Sequence, residues 1–355
     1  MENTLQQNPA SSKRLLGLDI LKILSIFLII IHHVSFKGDF IQNATGFNLV
    51  LLSFLNALFL PSVNIFVYVS AYLIIKKGKT SLSNLIKLYF QIVFYALLTY
   101  FFVCCLNYQT FSIRTLIECF FPVTKSHFWF CREYLILYAL SPLLLKIVQN
   151  LNKNEYTYTV LFILIALVYT TFFEVDILPL NKGFSSIWFI VLFMLAGYHA
   201  KFGLEIKKSV ATLIFILCTI YSYVIFIFNN TYFLADYTNF ITVIQTISLF
   251  QLVHDIKSTN KYITKTSTYI ATCTLGIYLL HDGNFVFQVL YKEIFQTHKY
   301  NLSSNALIYF FAIVSIIFIA GILVETLRKL IIKLFKKIIL KIKTKLSYQK
   351  IDHKS

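Results

Sequence analysis

The sequence predicts an all-α fold, a polytopic membrane bundle of about ten transmembrane helices, and three observations carry that expectation. Of the residues, 58% are hydrophobic and only 13% charged, with a mean hydropathy of +0.72, well outside the range of a soluble domain. Apolar windows of about 20 residues, each long enough to cross a hydrocarbon core roughly 30 Å thick, recur along nearly the whole chain. Lysine and arginine also gather in alternate connections between those windows, as expected when short basic loops stay on the cytoplasmic side.

The first window, 15–35, is too long for a signal-peptide core and has no small-residue cleavage site, so it reads as a retained span. Residues 1–14 before it are polar, with Asn3, Gln6, Gln7, Asn8, Ser11 and Ser12, and read as a disordered cytoplasmic N-terminus. Further windows follow at 49–75, 85–106, 128–148, 157–175, 185–201, 209–228, 237–254, 268–292 and 305–327, which makes 15–327 one transmembrane domain. With the N-terminus inside, Lys13, Arg14, Lys76, Lys77, Lys79, Lys87, Lys146, Lys153, Lys201, Lys207, Lys208, Lys257, Lys261 and Lys265 all fall in inner connections. The outer ones mix signs, as in Lys37 with Asp39 and Arg114 with Glu118. The expected placement is therefore a multi-pass protein of the plasma membrane with both termini cytoplasmic. The outer interval around 107–127 is too short to fold alone.

The last segment, 328–355, alternates Lys329, Lys333, Lys336, Lys337 and Lys341 with Leu330, Leu334, Phe335, Ile338 and Ile339. It reads as a basic amphipathic cytoplasmic tail on an anionic leaflet. The net charge of +17 thus points to membrane lipids and not to nucleic acid. Cys104, Cys105, Cys119, Cys131, Cys218 and Cys273 show no metal-ligand spacing; they read as small buried residues, with a bridge on the outer face as the alternative. No phosphate-binding glycine loop, nucleophile elbow or H-E-x-x-H pair occurs, so no metal is expected.

Four polar or aromatic constellations remain. In the first span, Lys22 and His33 lie eleven residues apart, on one helical face and about 16 Å apart along the axis, and Asp19 sits one turn before Lys22. Ionisable groups at such depth are costly and mark function by default. The plainer alternative is an Asp19–Lys22 ion pair with a snorkelling lysine, which leaves the histidines unexplained. A neutral imidazole suits proton abstraction from a hydroxyl; His32, about 100° away in azimuth, does not share the Lys22 face. The second is Gly276-Ile-Tyr-Leu-Leu-His-Asp-Gly-Asn284, where His281 and Asp282 interrupt an apolar helix and must face protein or water. They either line the same cavity as His33 or form a packing network. In the third, His127-Phe-Trp-Phe-Cys-Arg-Glu-Tyr134 running on to Tyr138, the residues Trp129, Tyr134 and Tyr138 make a sugar-facing surface or an interfacial belt. Arg132 and Glu133 bind a glycan or each other. The fourth, Asn64-Ile-Phe-Val-Tyr-Val-Ser-Ala-Tyr-Leu-Ile74, reads as helix packing around Ser70 and Ala71.

In order along the chain, these segments resemble the acyltransferase 3 family of integral-membrane acyltransferases. The resemblance rests on Asp19, Lys22 and His33 in the first span, Phe66-Val-Tyr-Val-Ser-Ala-Tyr-Leu, Phe128-Trp-Phe with Tyr138-Ala-Leu-Ser-Pro142, Ile187-Trp-Phe-Ile with Gly197-Tyr-His, and Gly276-Ile-Tyr-Leu-Leu-His-Asp282. It covers roughly residues 14–327. It implies a ten-span enzyme that moves an acyl group, acetyl being the simplest, from cytosolic acyl-CoA (acetyl-CoA) to a hydroxyl of a surface or lipid-linked glycan. On matching positions His33 is the catalytic residue, with Asp19 beside it in the motif, and Lys22 meets the coenzyme's phosphates. Trp129, Tyr134, Tyr138, His281 and Asp282 are the substrate-binding candidates. Two positions depart from the family pattern: Lys22 stands where Arg is commoner and lacks its bidentate fork, and Ala71 stands where Gly is usual. No extracytoplasmic hydrolase-like domain is expected.

A cleft along the first span that threads the slim pantetheine arm outward from Lys22 to His33 fits this chemistry, because the thioester supplies activation and the protein mainly a base and positioning. Direct transfer is the simpler course and an acyl-histidine the alternative. The rival classes are a polysaccharide, lipid-linked-sugar or proton-coupled transporter and a polysaccharide polymerase. A transporter normally shows paired halves with broken helices and a polymerase a large charged outer loop; the sequence shows neither.

Overall fold

The computed structural model describes residues 15–123, 128–229 and 236–352, and every regular element among them is helical. In chain order these are α1 (Leu16–Lys37), α2 (Gly46–Phe59), α3 (Ser62–Lys77), α4 (Leu82–Cys105), α5 (Ile113–Cys119), α6 (Trp129–Asn150) and α7 (Lys153–Phe172). Then follow α8 (Ser186–Phe202), α9 (Lys208–Asn229), α10 (Phe240–Val253), α11 (Lys261–Ala271), α12 (Thr274–His281) and α13 (Ala306–Asp352).

Six helical segments among the described residues are long and apolar enough to cross a membrane: Leu16–Lys37, Gly46–Lys77, Leu82–Cys105, Lys153–Phe172, Lys208–Phe228 and Ala306–Lys341. The second joins α2 and α3 across a bend at Leu60 and Pro61, where proline supplies no backbone donor. Two further apolar helices, α8 and α10, are shorter, at 17 and 14 residues. The expected window 268–292 is not one helix. It is split into α11 and α12, stops at His281, and resumes as a single π-helical turn over Val289–Ile294.

In the expected outer interval, the described residues 107–123 are not an extended loop but carry α5. Tyr100 Oη donates to the Ser112 carbonyl (3.0 Å), and Tyr89 Oη donates to the Phe120 carbonyl (2.6 Å). These tyrosines stand eleven residues apart, about 16 Å along α4, so the segment carrying α5 folds back down the side of that helix. The two tyrosine hydroxyls thus tie both ends of that segment to α4. The N-terminus 1–14 and His127 lie outside the described residues.

Helix ends follow local chemistry. A reciprocal capping box of Asn152 and Glu155 starts α7. Gly78, in the left-handed region at φ 66°, ends α3 just after Lys76 and Lys77. At this lysine-rich end the Gly17 amide donates to the Ile256 carbonyl (2.9 Å), tying the start of α1 to the end of α10. Lys201 Nζ donates to the carbonyls of Val148, Gln149 and Leu151 at the end of α6, where the last helical turn leaves acceptors unpaired. Lys208 meets Asp255 at 2.7 Å, and that hydrogen bond holds the Asp255 carboxyl below the usual carboxylate range.

The core is one apolar cluster built around α1, which packs against α2, α3, α10, α11, α12 and α13. The buried side chains of α1 therefore meet helices from both halves of the chain. That placement positions the site.

Candidate functional site

The last turn of α1 and the C-terminus of α12 meet at the end of the bundle away from the lysine-rich loops. Residues four apart share a helix face, so His33 and Lys37 leave α1 in one direction. His33 Nδ1 stands 3.0 Å from His281 Nε2 and 3.4 Å from Asp282 Oδ1. Lys37 Nζ forms an ion pair with Asp282 and lies 4.8 Å from the centroid of the Phe287 ring. His281 Nδ1 meets the Ile277 carbonyl at 2.7 Å, one turn back on its own helix. Asp282 is 4% exposed at its side chain and Lys37 29%, so the carboxylate is buried with its cation at the rim. At Gly283 the Phe128 ring sits 2.9 Å from where a Cβ would be, which explains the glycine after the two functional residues.

A slot of about 20 Å³ opens beside His33, bounded by His32, Ser62, Trp129, Tyr237 and Tyr278. That volume holds about one water, so the slot is a small crevice and not an open pocket. The Tyr278 hydroxyl is buried without a hydrogen-bond partner among the described residues. Trp129 stacks on Tyr237 (6.1 Å between centroids, planes 15° apart) and packs against Phe184 at 4.4 Å. Tyr237 is held over the slot from behind. Trp188 Nε1 donates to Asn64 Oδ1 (3.0 Å), and Asn64 Nδ2 donates to the Tyr237 carbonyl (2.8 Å).

The structure thus brings His33, His281 and Asp282 together and sets Trp129 at the same slot. His281 and Asp282 stand behind His33 instead of lining the slot, and His281 lies level with His33 rather than deeper. Both His32 and His33 line it, whatever their difference in azimuth; His32 packs on Phe36 at 4.6 Å. Asp19 is not brought to the imidazole. It lies fourteen residues earlier, roughly 21 Å along the axis, and accepts a hydrogen bond from Thr268 on α11 at 2.8 Å. Lys22 is half-buried on α1 and does not line the slot. Tyr134 stacks on Phe130 (5.7 Å, 14°) one turn below the slot, and Tyr138 is a further turn away. Arg132 and Glu133 pair with each other at 2.6 Å. All six cysteines are free thiols. Among the described residues no group of three His, Cys, Asp or Glu is arranged to hold a metal.

Sequence reasoning missed Lys37, set aside as an outer-loop charge, although its i,i+4 relation to His33 was readable. It also missed Tyr237, which carries no local signal. A family model described as an acyltransferase domain matches residues 15–325. No curated protein and no solved structure matches the chain.

Proposed function

The chain belongs to the acyltransferase 3 family, and from that premise we propose that it transfers an acyl group, acetyl in the simplest case, from cytosolic acyl-CoA to a hydroxyl of an extracytoplasmic polysaccharide or lipid-linked glycan. The observation that carries this reading is the His33 imidazole, anchored at Nδ1 and lining a narrow slot with Trp129 and Tyr278. The other ring nitrogen, Nε2, is then the one available to a hydroxyl.

Nε2 takes the acceptor's proton as its oxygen bonds to the thioester carbonyl carbon. The carbon–sulfur bond breaks, and the imidazolium returns the proton to the departing thiolate, giving an ester and free coenzyme A. Tyr278 Oη is placed to donate to the carbonyl oxygen as it gains charge. Trp129 and Tyr237 offer an aromatic face to a sugar ring. The slot has to widen to admit a pantetheine arm, and Lys22, about 16 Å back along the same helix, supplies a cation for the coenzyme's phosphates.

In this reading α6, α8, α10 and the broken α11–α12 pair add four crossings to the six long apolar segments. The lysine-rich end and both termini face the cytosol, the membrane is the plasma membrane, and the His33 end faces out.

The test is reconstitution in vesicles with radiolabelled acetyl-CoA at the lysine-rich face and oligosaccharide at the other. Ester on the glycan is expected. Glycan movement without ester would instead establish the transporter alternative. Lys22→Ala is expected to weaken acyl-CoA binding by at least tenfold and leave glycan binding unchanged, with Lys22→Arg close to wild type; binding titrations on the purified protein measure both. Unchanged acyl-CoA affinity in Lys22→Ala would reduce Lys22 to a structural role.

A further inference from the structure

We infer that His281 is a positioning residue for the transfer reaction: together with Asp282 it holds His33 in the tautomer protonated at Nδ1 and bare at Nε2. The inference rests on the acyl-transfer reading for its consequence, and on three contacts for its geometry.

A neutral imidazole carries one donor and one acceptor nitrogen. His281 Nδ1 lies 2.7 Å from the Ile277 carbonyl oxygen, which only accepts, so the His281 proton is on Nδ1 and its Nε2 is a lone pair. That lone pair is 3.0 Å from His33 Nδ1, so His33 Nδ1 must donate. The alternative assignment reverses both protons. It sets a His281 lone pair against the Ile277 carbonyl, and a His33 lone pair against the Asp282 carboxylate at 3.4 Å, giving two repulsive contacts in a buried place where unmet polar groups are costly. The chain of donors therefore runs one way, from His33 to His281 to the backbone of α12.

His281 is 1% exposed and forms a wall of an apolar crevice of about 370 Å³ between α4, α12 and α13. Among the residues lining that crevice, the only other polar side chain is Thr99, and its hydroxyl is bound to the carbonyls of Tyr95 and Ala96. His281 is thereby left to His33. The functional result is that Nε2 of His33 presents a lone pair to the slot at every turnover without first shifting a proton. The partner of a base sets its tautomer in this way in other acid–base sites. When Nε2 is protonated in the reaction, the imidazolium keeps its Nδ1–H directed at His281 and at the Asp282 carboxylate, which Lys37 holds in place.

The experiment uses the full chain in lipid nanodiscs, labelled with ¹⁵N-histidine, and the His33 resonances are identified by their loss in His33→Asn. Nitrogen spectra of the wild type are expected to show Nδ1 protonated and Nε2 bare; the opposite pattern overturns the inference, and this arm needs no variant at position 281. In parallel, His281→Gln, whose amide oxygen can accept from His33 Nδ1, is expected to keep turnover within about tenfold of wild type. His281→Phe is expected to lower kcat by between about 10- and 10⁴-fold, the range seen when the orienting partner of a histidine is lost, with KM for acetyl-CoA unchanged. A His281→Phe protein that is monodisperse and turns over like wild type also overturns it. Absence of ester from the wild type would sink the acyl-transfer reading instead, while the nitrogen spectra would still decide whether His281 fixes the tautomer.

Discussion

His33→Ala is expected to lower ester formation by between about 10² and 10⁴-fold, the usual worth of a positioned general base, without loss of insertion or fold. The ring sits at the end of α1 beside an existing slot; its removal strands the Nε2 of His281, which the enlarged slot can supply with water, while Asp282 keeps its ion pair with Lys37. His32→Ala is expected to keep most of the activity, since His32 lines the slot without the contact to His281. The measurement is radiolabelled acetyl transfer by matched amounts of each purified variant, with thermal midpoints compared in parallel. If His32→Ala is the inactive variant and His33→Ala retains turnover, the base is misassigned and the contact with His281 serves packing alone.

What the sequence made legible divides by the range of the interaction. Periodicity and length set the all-helical class, and the eleven-residue spacing singled out His33, because both depend on neighbours along one helix. The polar run at His281 and Asp282 announced a protein-facing position, since lipid would not tolerate it. Long-range placement was not legible in the same way. Asp19 reads as part of the His33 constellation because three residues separate it from Lys22, yet it accepts a hydrogen bond from Thr268, 249 positions away, and does not reach the imidazole. Tyr134 and Tyr138 read with Trp129 as one aromatic surface, but helical geometry turns and lowers them by one and two turns. The segment 107–127 reads as an outer loop by its polarity. Contacts from α4 show why its described part, 107–123, folds back along that helix: the Tyr89 and Tyr100 hydroxyls on its backbone and the buried Cys119 against the Ala96 carbonyl. Asn64 and Trp188, which read as packing and as a motif fragment, act through the carbonyl of Tyr237.

Glu325 gave no signal of its own, since it stands at the end of the last apolar window where a charge reads as interfacial. It is fully buried. Its carboxylate accepts two hydrogen bonds from Arg328, from Nη2 at 2.6 Å and Nε at 2.8 Å, with Tyr95 Oη at 2.9 Å and Gln91 Nε2 at 3.3 Å. One side chain thereby joins α13 to α4. Glu325→Ala removes the acceptor from a mostly buried guanidinium and a buried phenol, and a cost of about 3–5 kcal/mol is expected, as for breaking one side of a buried pair. Replacing both members, Glu325→Leu with Arg328→Met, is expected to recover part of that loss, because the buried guanidinium leaves with its partner while the Tyr95 phenol stays without its acceptor. The consequence reaches the site through α12. At Gly276 a Cβ would lie 2.6 Å from both Glu325 Oε2 and Tyr95 Oη, so the first turn of α12 rests on this network, and His281 follows five residues later, about 7.5 Å along the helix. A shift of α12 by one ångström is enough to spoil the 3.0 Å contact of His281 with His33. Thermal unfolding in nanodiscs is expected to rank wild type first, the double variant second and Glu325→Ala last, with acetyl transfer falling in the same order. Glu325→Ala with the wild-type midpoint would remove the network from the account of stability. A lowered midpoint with undiminished transfer would show instead that α12 keeps its register without it.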